Sequence, residues 1–281
     1  MKHSERRKRR LSKTEVSVPR LAASSYLNTA PLIWSFIYGS MKTSVELLTD
    51  SAPAVCGDML ASGKAEIALV PVIDYQKIHD ILAFPDVCVG SRSRVRSVVL
   101  ATRCRDLKDV RTIALDTSSH TSSVLIQIIF REFLGIEPVC KPSLPDLTGM
   151  LETSDAALII GDPAMVFSRD GVRVHDLAGL WHEFTGLGFV FAMWMARESA
   201  VERVRSVDLA GARDEGLAHI EDIVANYHPK LGLPEEELRS YLLDNITFTL
   251  DEDLHKGLNL YFNLASKHGY ISSVRQLQML S

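Results

Sequence analysis

The chain has 281 residues, of which 46% are hydrophobic and 23% charged, a composition typical of ordinary globular proteins rather than disordered or fibrous ones. No apolar run approaches the ~20 residues that cross a bilayer, so the sequence predicts no membrane span. The net charge of −4 combines +6 in residues 1–13 with −10 in the remainder, which argues against nucleic acid as the main partner.

The basic tail, residues 1–14, is predicted to be disordered and solvated, because a block of like charges repels itself. A weak contact with nucleic acid or an anionic membrane is the alternative. No apolar stretch follows the basic residues, so the sequence indicates no secretory signal and we expect a cytoplasmic location.

Cysteine and histidine give no indication of a metal site. Cys56, Cys88, Cys104 and Cys140 form no CxxC pair and have no His at metal-ligand spacing. We interpret them as buried, reduced thiols. The HExxH, Walker and GxGxxG patterns are also absent, which disfavours zinc-protease, nucleotide and dinucleotide functions.

Strand and helix patterns alternate along the first part of the chain. A short buried strand at 20–24 leads through a polar turn into an apolar helix, with Pro31 in its first turn and its end near Gly39. The apolar run 65–72 is typical of a parallel strand buried on both faces. The other elements predicted here are strands at 44–50 and 95–102 and a helix at 52–61.

The pattern then restarts. A strand at 110–115 runs into the hydroxyl run, Thr117–Ser123, in which every residue except His120 carries a hydroxyl group. A buried strand, a tight turn and a helix start follow within 155–165, and 188–196 is a long apolar strand. From about Ser206 the pattern is mostly helical.

Two batches of strands, roughly 16–102 and 105–190, predict an α/β protein with two lobes. The strands at 95–102 and 188–196 lie where the batches meet and are expected to form a two-strand hinge. We therefore predict a first lobe of residues 15–102 with 196–281 and a second lobe of residues 103–195. A cleft between two lobes is a preferred ligand site, lined by loops at the carboxyl ends of strands.

The hydroxyl run has more hydroxyl groups than a helix cap requires. Ser and Thr side chains bond the free N–H groups of a first helical turn, and the helix dipole attracts anions there. An ordinary cap needs one or two hydroxyls, so six favour a site for a small anion. Carboxylate is favoured over phosphate, because a P-loop would carry Gly and Lys. A serine hydrolase is disfavoured because no nucleophile elbow is present.

Three further positions are candidate site residues. Asn28 and Thr29 precede Pro31, either as turn former and cap or with Asn28 facing the cleft. Ser97 lies in an apolar hinge strand, where a hydroxyl needs a partner. Asp162, after Gly161, either caps a helix or faces the ligand. The full set of predicted substrate-binding residues is Ser25, Tyr26, Thr29, Thr117, Ser118, Ser119, Thr121, Ser122, Gly161 and Asp162.

Six segments together resemble a known family. In chain order they are "SYLNTAPL", "GKAEIALVPV", "VRSVVLAT", "ALDTSSHTSSVLIQII", "AALIIGDPAM" and "WHEFTGLGFVFAMW". This ordered set, from about residue 18 to 196, is similar to the chorismate dehydratases of menaquinone biosynthesis by the futalosine route. The resemblance implies a type II periplasmic-binding-protein fold used in the cytoplasm for catalysis. It also implies conversion of chorismate to 3-[(1-carboxyvinyl)oxy]benzoate and water, with no metal or organic cofactor.

The resemblance also implies catalytic roles for Asn28 and Ser97, which match the polar residues of the family's "LN" and "SV" segments. Chorismate has two carboxylates, and hydroxyl-rich helix starts on both lobes would bind them. An amide is a poor base, so Asn28 is expected to orient the substrate, whose own enolpyruvyl carboxylate would take the proton. Whether Arg92, Arg94 or Arg96 contacts a carboxylate stays open at this point, as does the oligomeric state.

Two alternatives remain beside the dehydratase. The fold is more often that of a solute receptor than of an enzyme, so a protein that only binds a small carboxylate is one alternative. The second is the dihydroxynaphthoate synthase of the same pathway, which shares the fold. The segment "SYLNTAPL" favours the dehydratase.

Overall fold

A computed structural model describes residues 18–50 and 52–280, and the predicted basic tail lies outside these residues. The strands are β1 (Arg20–Ser24), β2 (Glu46–Asp50), β3 (Ile67–Pro71), β4 (Ile81–Ser91), β5 (Val98–Thr102), β6 (Thr112–Asp116), β7 (Val139–Ser143), β8 (Ala156–Ile160), β9 (Arg173–Asp176) and β10 (Phe189–Arg197). They form two separate five-stranded sheets.

The helices alternate with the strands and then dominate the carboxyl-terminal part. They are α1 (Ala30–Ile37), α2 (Pro53–Ala61), α3 (His120–Ile128), α4 (Leu147–Thr153), α5 (Gly161–Val166), α6 (Leu177–Thr185), α7 (Val201–Val204), α8 (Leu209–Ala218), α9 (Ile220–Leu231), α10 (Glu235–Ser240) and α11 (Glu252–Lys267). Among the described residues, no helix combines the length and the apolar character needed to cross a membrane.

The two sheets have the same design. The first has the strand order β2-β1-β3-β10-β4, in which β1 is parallel to β2 and β3 and β10 is antiparallel to its two neighbours. The second has the order β7-β6-β8-β5-β9, in which β6 is parallel to β7 and β8 and β5 is antiparallel to its neighbours. The predicted α/β architecture of two lobes is therefore confirmed.

The hinge consists of two adjacent connections. The chain leaves the first sheet at the end of β4 and re-enters it at the start of β10, and these strands are neighbours, with Ser91 opposite Phe189. The crossing segments are thus 92–97 and 186–188. Within the first of them Arg96 has a φ of 63°, in the left-handed region that side chains other than glycine rarely adopt.

The predicted lobe boundaries were wrong by one strand on each side. The prediction put 95–102 in the first lobe and most of 188–196 in the second, whereas β5 pairs with β8 and β9 in the second sheet and β10 pairs with β3 and β4 in the first. An apolar run predicts a buried strand, but it does not determine which sheet supplies the hydrogen-bond partners.

The strand β4 was not predicted, because its sequence does not read as a continuous strand. Pro85 and Asp86 interrupt its apolar residues, both are exposed, and Asp86 has a φ of 62°. The pairing of β4 with β10 shifts register between Met193 and Met195, beside this interruption. Proline is tolerated in a sheet at such irregularities.

Helix α8 holds α1 in place beneath the cleft. A Cβ atom on Gly216 of α8 would lie 1.9 Å from the carbonyl oxygen of Pro31 in α1, so only glycine allows the two backbones to approach this closely. The start of α1 is thereby fixed where the first lobe meets the second.

Candidate active site

A cavity lies between the lobes at the carboxyl ends of β1, β3, β6 and β8, the position expected for a ligand site in a fold of this kind. Its polar lining consists of Ser24, Tyr26, Asn28, Thr29, Ser119 and Ser122. Its remaining lining is Pro53, Leu69, Pro71, Val89, Val95, Val98, Ile160, Gly161, Phe191 and Ala192. Within the described part of the chain, no charged side chain lines this cavity.

The first lobe contributes a polar cluster where β1 ends. A 3-10 turn, Leu27–Thr29, follows the strand and continues directly into α1. Thr29 Oγ1 lies 2.8 Å from Ser24 Oγ and donates a hydrogen bond to Asn28 Oδ1 over 3.3 Å. These contacts orient the Asn28 amide. Ser24 was missed by the sequence analysis, because a serine at the end of a buried strand has no distinguishing pattern.

The second lobe contributes the start of α3. Ser119 caps this helix, since its Oγ accepts a hydrogen bond from the Ser122 backbone N–H at 3.2 Å. The Ser119 and Ser122 hydroxyl groups also bond each other at 2.8 Å. Of the predicted hydroxyl run, these two serines line the cavity.

The other predicted members of the hydroxyl run lie elsewhere. Ser118 is buried and connects the lobes, because its carbonyl oxygen accepts from the backbone N–H of Ala54 in α2. Thr121 Oγ1 accepts from the backbone N–H of Ile73 in the first lobe at 3.4 Å. Thr117 is exposed and does not line the cavity.

Of the neighbouring predicted residues Ser25 and Tyr26, only Tyr26 lines the cavity. Burial together with the nearby Asp116 raises the pKa of Tyr26 to about 12, so its hydroxyl stays protonated. Ser25 is exposed outside the cavity, where its carbonyl oxygen accepts a hydrogen bond from the Tyr227 hydroxyl at 2.8 Å.

Gly161 and Asp162 connect the second lobe to the first. Gly161 has a φ of 67°, and a Cβ atom there would lie 2.3 Å from the Tyr26 ring, so glycine is required for this approach. Asp162 Oδ1 accepts a hydrogen bond from the Leu27 backbone N–H at 2.9 Å. Asp162 therefore caps the 3-10 turn of the opposite lobe. Burial raises its pKa to about 6.

Ser97 is completely buried beside the cavity rather than on its surface. Its neighbours Val95 and Val98 line the cavity, while its carbonyl oxygen accepts from Gly161 N–H at 2.7 Å. Its Oγ accepts a hydrogen bond from the Tyr241 hydroxyl at 2.7 Å. This supplies the partner that a hydroxyl in an apolar hinge was predicted to need.

Tyr241 bonds one of the two predicted catalytic residues and lies beside the other. Its hydroxyl donates a hydrogen bond to Ser97 Oγ, and the Asn28 side chain is close enough to the phenol to lower its pKa. Burial raises the pKa of Tyr241, so the phenol is protonated. Nothing in the sequence marks this tyrosine, since it lies 144 residues from Ser97 in the helical carboxyl-terminal part and belongs to no motif.

The three arginines of the hinge do not line the cavity. Arg92 forms an ion pair with Asp251, and Arg96 forms one with Glu237 of α10. Arg94 is exposed. These three cations, whose contacts the sequence left open, therefore lie outside the cavity.

The chemistry available in the cavity is that of neutral hydrogen-bonding groups around an apolar centre. Five hydroxyl groups and one amide surround aliphatic, proline and phenylalanine surfaces. Such a lining packs against a hydrocarbon ring and orients its polar substituents. Helix starts at α1 and α3 add partial positive charge that favours anionic substituents.

The chain is similar in sequence to known proteins. The family described as "Menaquinone biosynthesis" matches residues 19–267. The chain is 30% identical over 260 residues to the chorismate dehydratase of Thermus thermophilus, covering 86% of this chain and 93% of that protein.

Solved structures share the fold at low sequence identity. A protein of Archaeoglobus fulgidus has a TM-score of 0.71 at 16% identity, covering 92% of this chain and all (100%) of the other. The periplasmic aliphatic sulphonate binding protein of Escherichia coli has a TM-score of 0.61 at 15% identity, covering 94% of each chain. The predicted periplasmic-binding-protein-like fold is confirmed, and the match over residues 19–267 shows that this chain belongs to the menaquinone biosynthesis family.

Proposed function

We propose that the protein is a chorismate dehydratase, a hydro-lyase that converts chorismate to 3-[(1-carboxyvinyl)oxy]benzoate and water. The observation that carries the proposal is the uncharged cavity between the lobes, which combines the Asn28 amide with five hydroxyl groups around apolar walls. Chorismate offers the complementary features: a hydrocarbon ring, one hydroxyl and two carboxylates. The similarity to the Thermus enzyme supports the same assignment.

Binding of the dianion would use neutral donors at two helix starts. Ser119 and Ser122 stand at the start of α3, and Ser24 and Thr29 stand before α1. Hydroxyl and backbone N–H groups at a helix start bind carboxylates with help from the helix dipole. Each of the two carboxylates would then have one helix start as its partner.

The reaction breaks the C3–H and C4–O bonds of the ring and forms a C3–C4 double bond, which makes the ring aromatic. The C4 hydroxyl leaves as hydroxide, and the proton taken from C3 is passed to it to give water. Asn28 is proposed to orient the substrate and its leaving hydroxyl. Ser97, predicted to be catalytic, is proposed to take part indirectly, because it is buried beside the cavity and its Oγ accepts a hydrogen bond from Tyr241, which lies beside Asn28.

The base in this proposal is the substrate itself. No carboxylate, imidazole or amine of the described residues lines the cavity, so the enolpyruvyl carboxylate of chorismate takes the C3 proton. A carboxylate held without a cationic partner stays more basic than one paired with arginine. Closure of the lobes excludes water and holds the substrate in a reactive geometry.

The direct test is to incubate the protein with chorismate and follow an aromatic absorber, with the product identified by mass spectrometry. Formation of 3-[(1-carboxyvinyl)oxy]benzoate supports the proposal. Tight binding without turnover would instead favour a carboxylate-binding protein. Turnover is expected to survive dialysis against a chelator, since the proposal includes no metal or organic cofactor. The proposed site of action is the cytoplasm.

We predict that Asn28→Asp lowers kcat/KM by about 100-fold or more, because a new negative charge repels a dianion in a cavity where the described residues place no cation. Steady-state kinetics with chorismate provide the measurement. Asn259→Asp, an exposed position on α11, is the matched control and keeps wild-type kinetics. High retained activity in Asn28→Asp would contradict a substrate-derived base and point to a side-chain base.

A further inference from the structure

We infer that Tyr241 is a positioning residue, whose buried hydroxyl holds the Asn28 amide and the Ser97 hydroxyl in one fixed arrangement. The inference rests on the proposed function for its catalytic consequence. The arrangement itself is a matter of hydrogen bonds and is tested separately below.

Two contacts with the hinge hold Tyr241 in place, an ion pair on the preceding helix and its own hydrogen bond to Ser97. Tyr241 begins a short π-helical segment, Tyr241–Asn245, directly after α10, and it is 1% exposed. Glu237, one turn earlier on α10, forms an ion pair with Arg96 of the hinge. The helix is thus attached to segment 92–97 by an ion pair and by the bond from Tyr241 to Ser97. Single π-helical turns within helices are frequent at functional sites.

The number of protons on each group determines the directions of these hydrogen bonds. A protonated phenol has one proton, and Tyr241 donates it to Ser97 Oγ over 2.7 Å. The phenolic oxygen is then left as an acceptor, and in the inferred arrangement Asn28 presents its NH₂ group to it. This agrees with the other end of the amide, where Oδ1 accepts from Thr29 Oγ1.

The same arrangement gives Ser97 a defined role. Because its oxygen already accepts from Tyr241, its own proton is available for another acceptor. Both the amide and the hydroxyl are then oriented before the substrate binds. Prearranged donors accelerate a reaction because they do not have to reorganise in the transition state.

The kinetic test is Tyr241→Phe, which removes only the hydroxyl. We expect kcat for chorismate to fall about 10- to 100-fold while KM changes by less than about threefold, since orientation rather than binding is lost. The matched control is Tyr75→Phe, because Tyr75 is also fully buried with a hydroxyl in two hydrogen bonds, to Gln276 O and from Gln278 N–H. It should keep wild-type kcat, and an equal loss in both variants would overturn the inference.

A double-mutant cycle separates positioning from a general structural effect. In the Ser97→Ala background Tyr241 has lost one of the groups it orients, so adding Tyr241→Phe is expected to cost clearly less in kcat than it costs alone. An undiminished effect would show that Tyr241 does not act through Ser97.

The arrangement is also tested without any substrate. The Asn28 side-chain amide signals in a ¹⁵N–¹H spectrum, assigned by their loss in Asn28→Asp, are expected to shift and to exchange faster with water in Tyr241→Phe but not in Tyr75→Phe. Unchanged signals would overturn the inference, whatever the protein catalyses. Conversely, a wild-type protein that leaves chorismate unchanged contradicts the proposed function alone. If Tyr241→Phe does not fold, Ser97→Ala tests the link from the other side, with the same shift expected.

Discussion

Asp162 accepts its hydrogen bond from the opposite lobe, not from its own helix. A glycine before a carboxylate at a strand end predicts a tight turn, and Gly161 indeed joins β8 to α5 with a φ of 67°. The sequence could not show the partner of Asp162, because Leu27 is 135 residues away in the chain. Ser97 and Tyr241 illustrate the same limit: a buried hydroxyl predicts that a partner exists, while only the packed structure identifies it.

We predict that Asp162 makes stability depend on pH in a defined direction. Burial raises the pKa of Asp162 from its ordinary value of 3.8 to about 6. Between these values the folded protein keeps a proton that the unfolded chain has lost, so this group contributes stability at low pH that disappears as pH rises through 6. Relative to wild type, Asp162→Asn should therefore gain about 2 kcal/mol in free energy of unfolding between pH 4 and 7.

Urea denaturation of wild type and Asp162→Asn between pH 4 and 7 gives the difference in their free energies of unfolding. Contributions from other titratable groups are the same in both proteins and cancel in this difference. A difference that is constant with pH would contradict a raised pKa in the folded state.

Helix starts are the elements that form the cavity, and the sequence predicted both of them. The turn before Pro31 leads into α1, and the hydroxyl run leads into α3, where Ser119 forms the cap. Thr29 precedes α1 without capping it, because its hydroxyl bonds Ser24 and Asn28 instead. The pattern could not distinguish the two serines that line the cavity from Ser118 and Thr121, whose bonds connect the lobes. Successive residues at a helix start point in different directions, and tertiary contacts decide which direction faces the ligand.

We predict that Ser119→Ala affects substrate binding as well as stability. Loss of the cap should lower the free energy of unfolding by about 1 kcal/mol. KM for chorismate should rise at least about fivefold, because a donor group at the cavity is lost together with its contact to Ser122.

The control is Asp146→Ala, which removes the cap of α4, a helix start outside the cavity lining. It should lower stability to a similar extent and leave KM unchanged. Equal KM values for the two variants would remove Ser119 from the binding site.

In the whole molecule, the two lobes meet through contacts on both sides of the cavity. On one side Asp162 accepts from Leu27. On the other, His120 Nδ1 of α3 lies 2.8 Å from Asp74 Oδ2, which follows β3 in the first lobe. The hydrogen bond to Asp74 raises the pKa of His120, with smaller opposing or supporting effects of burial, Lys77 and Asp58. The described conformation is therefore a closed one.

We predict that this pair favours closure at mildly acidic pH. The pKa of His120 is raised in the closed form, so the His120–Asp74 pair stabilises that form fully below pH 6.5, the ordinary pKa of histidine. This stabilisation is lost as the pH rises through the raised pKa. The pair is partly exposed, so its contribution to closure is up to about 1 kcal/mol, or about fivefold in the ratio of closed to open molecules.

Small-angle X-ray scattering without ligand is the measurement. At pH 6, His120→Ala should have a larger radius of gyration than wild type, and the difference should shrink by pH 9. His228→Ala, an exposed histidine whose ring bonds the carbonyl oxygen of Leu233 within the first lobe, is the control. Identical radii for wild type and His120→Ala at pH 6 would exclude this role.

Strand β10 belongs to the first sheet although it follows every strand of the second sheet, and this determines the order in which the sheets are completed during synthesis. All five strands of the second sheet lie within residues 98–176, whereas the first sheet lacks β10 until residue 197 has been made. Because a chain emerges from its amino end, the second sheet has all its strands while the first still has an open position between β3 and β4. The lobe that begins first is thus completed last, and the cleft between the lobes forms only once β10 is inserted.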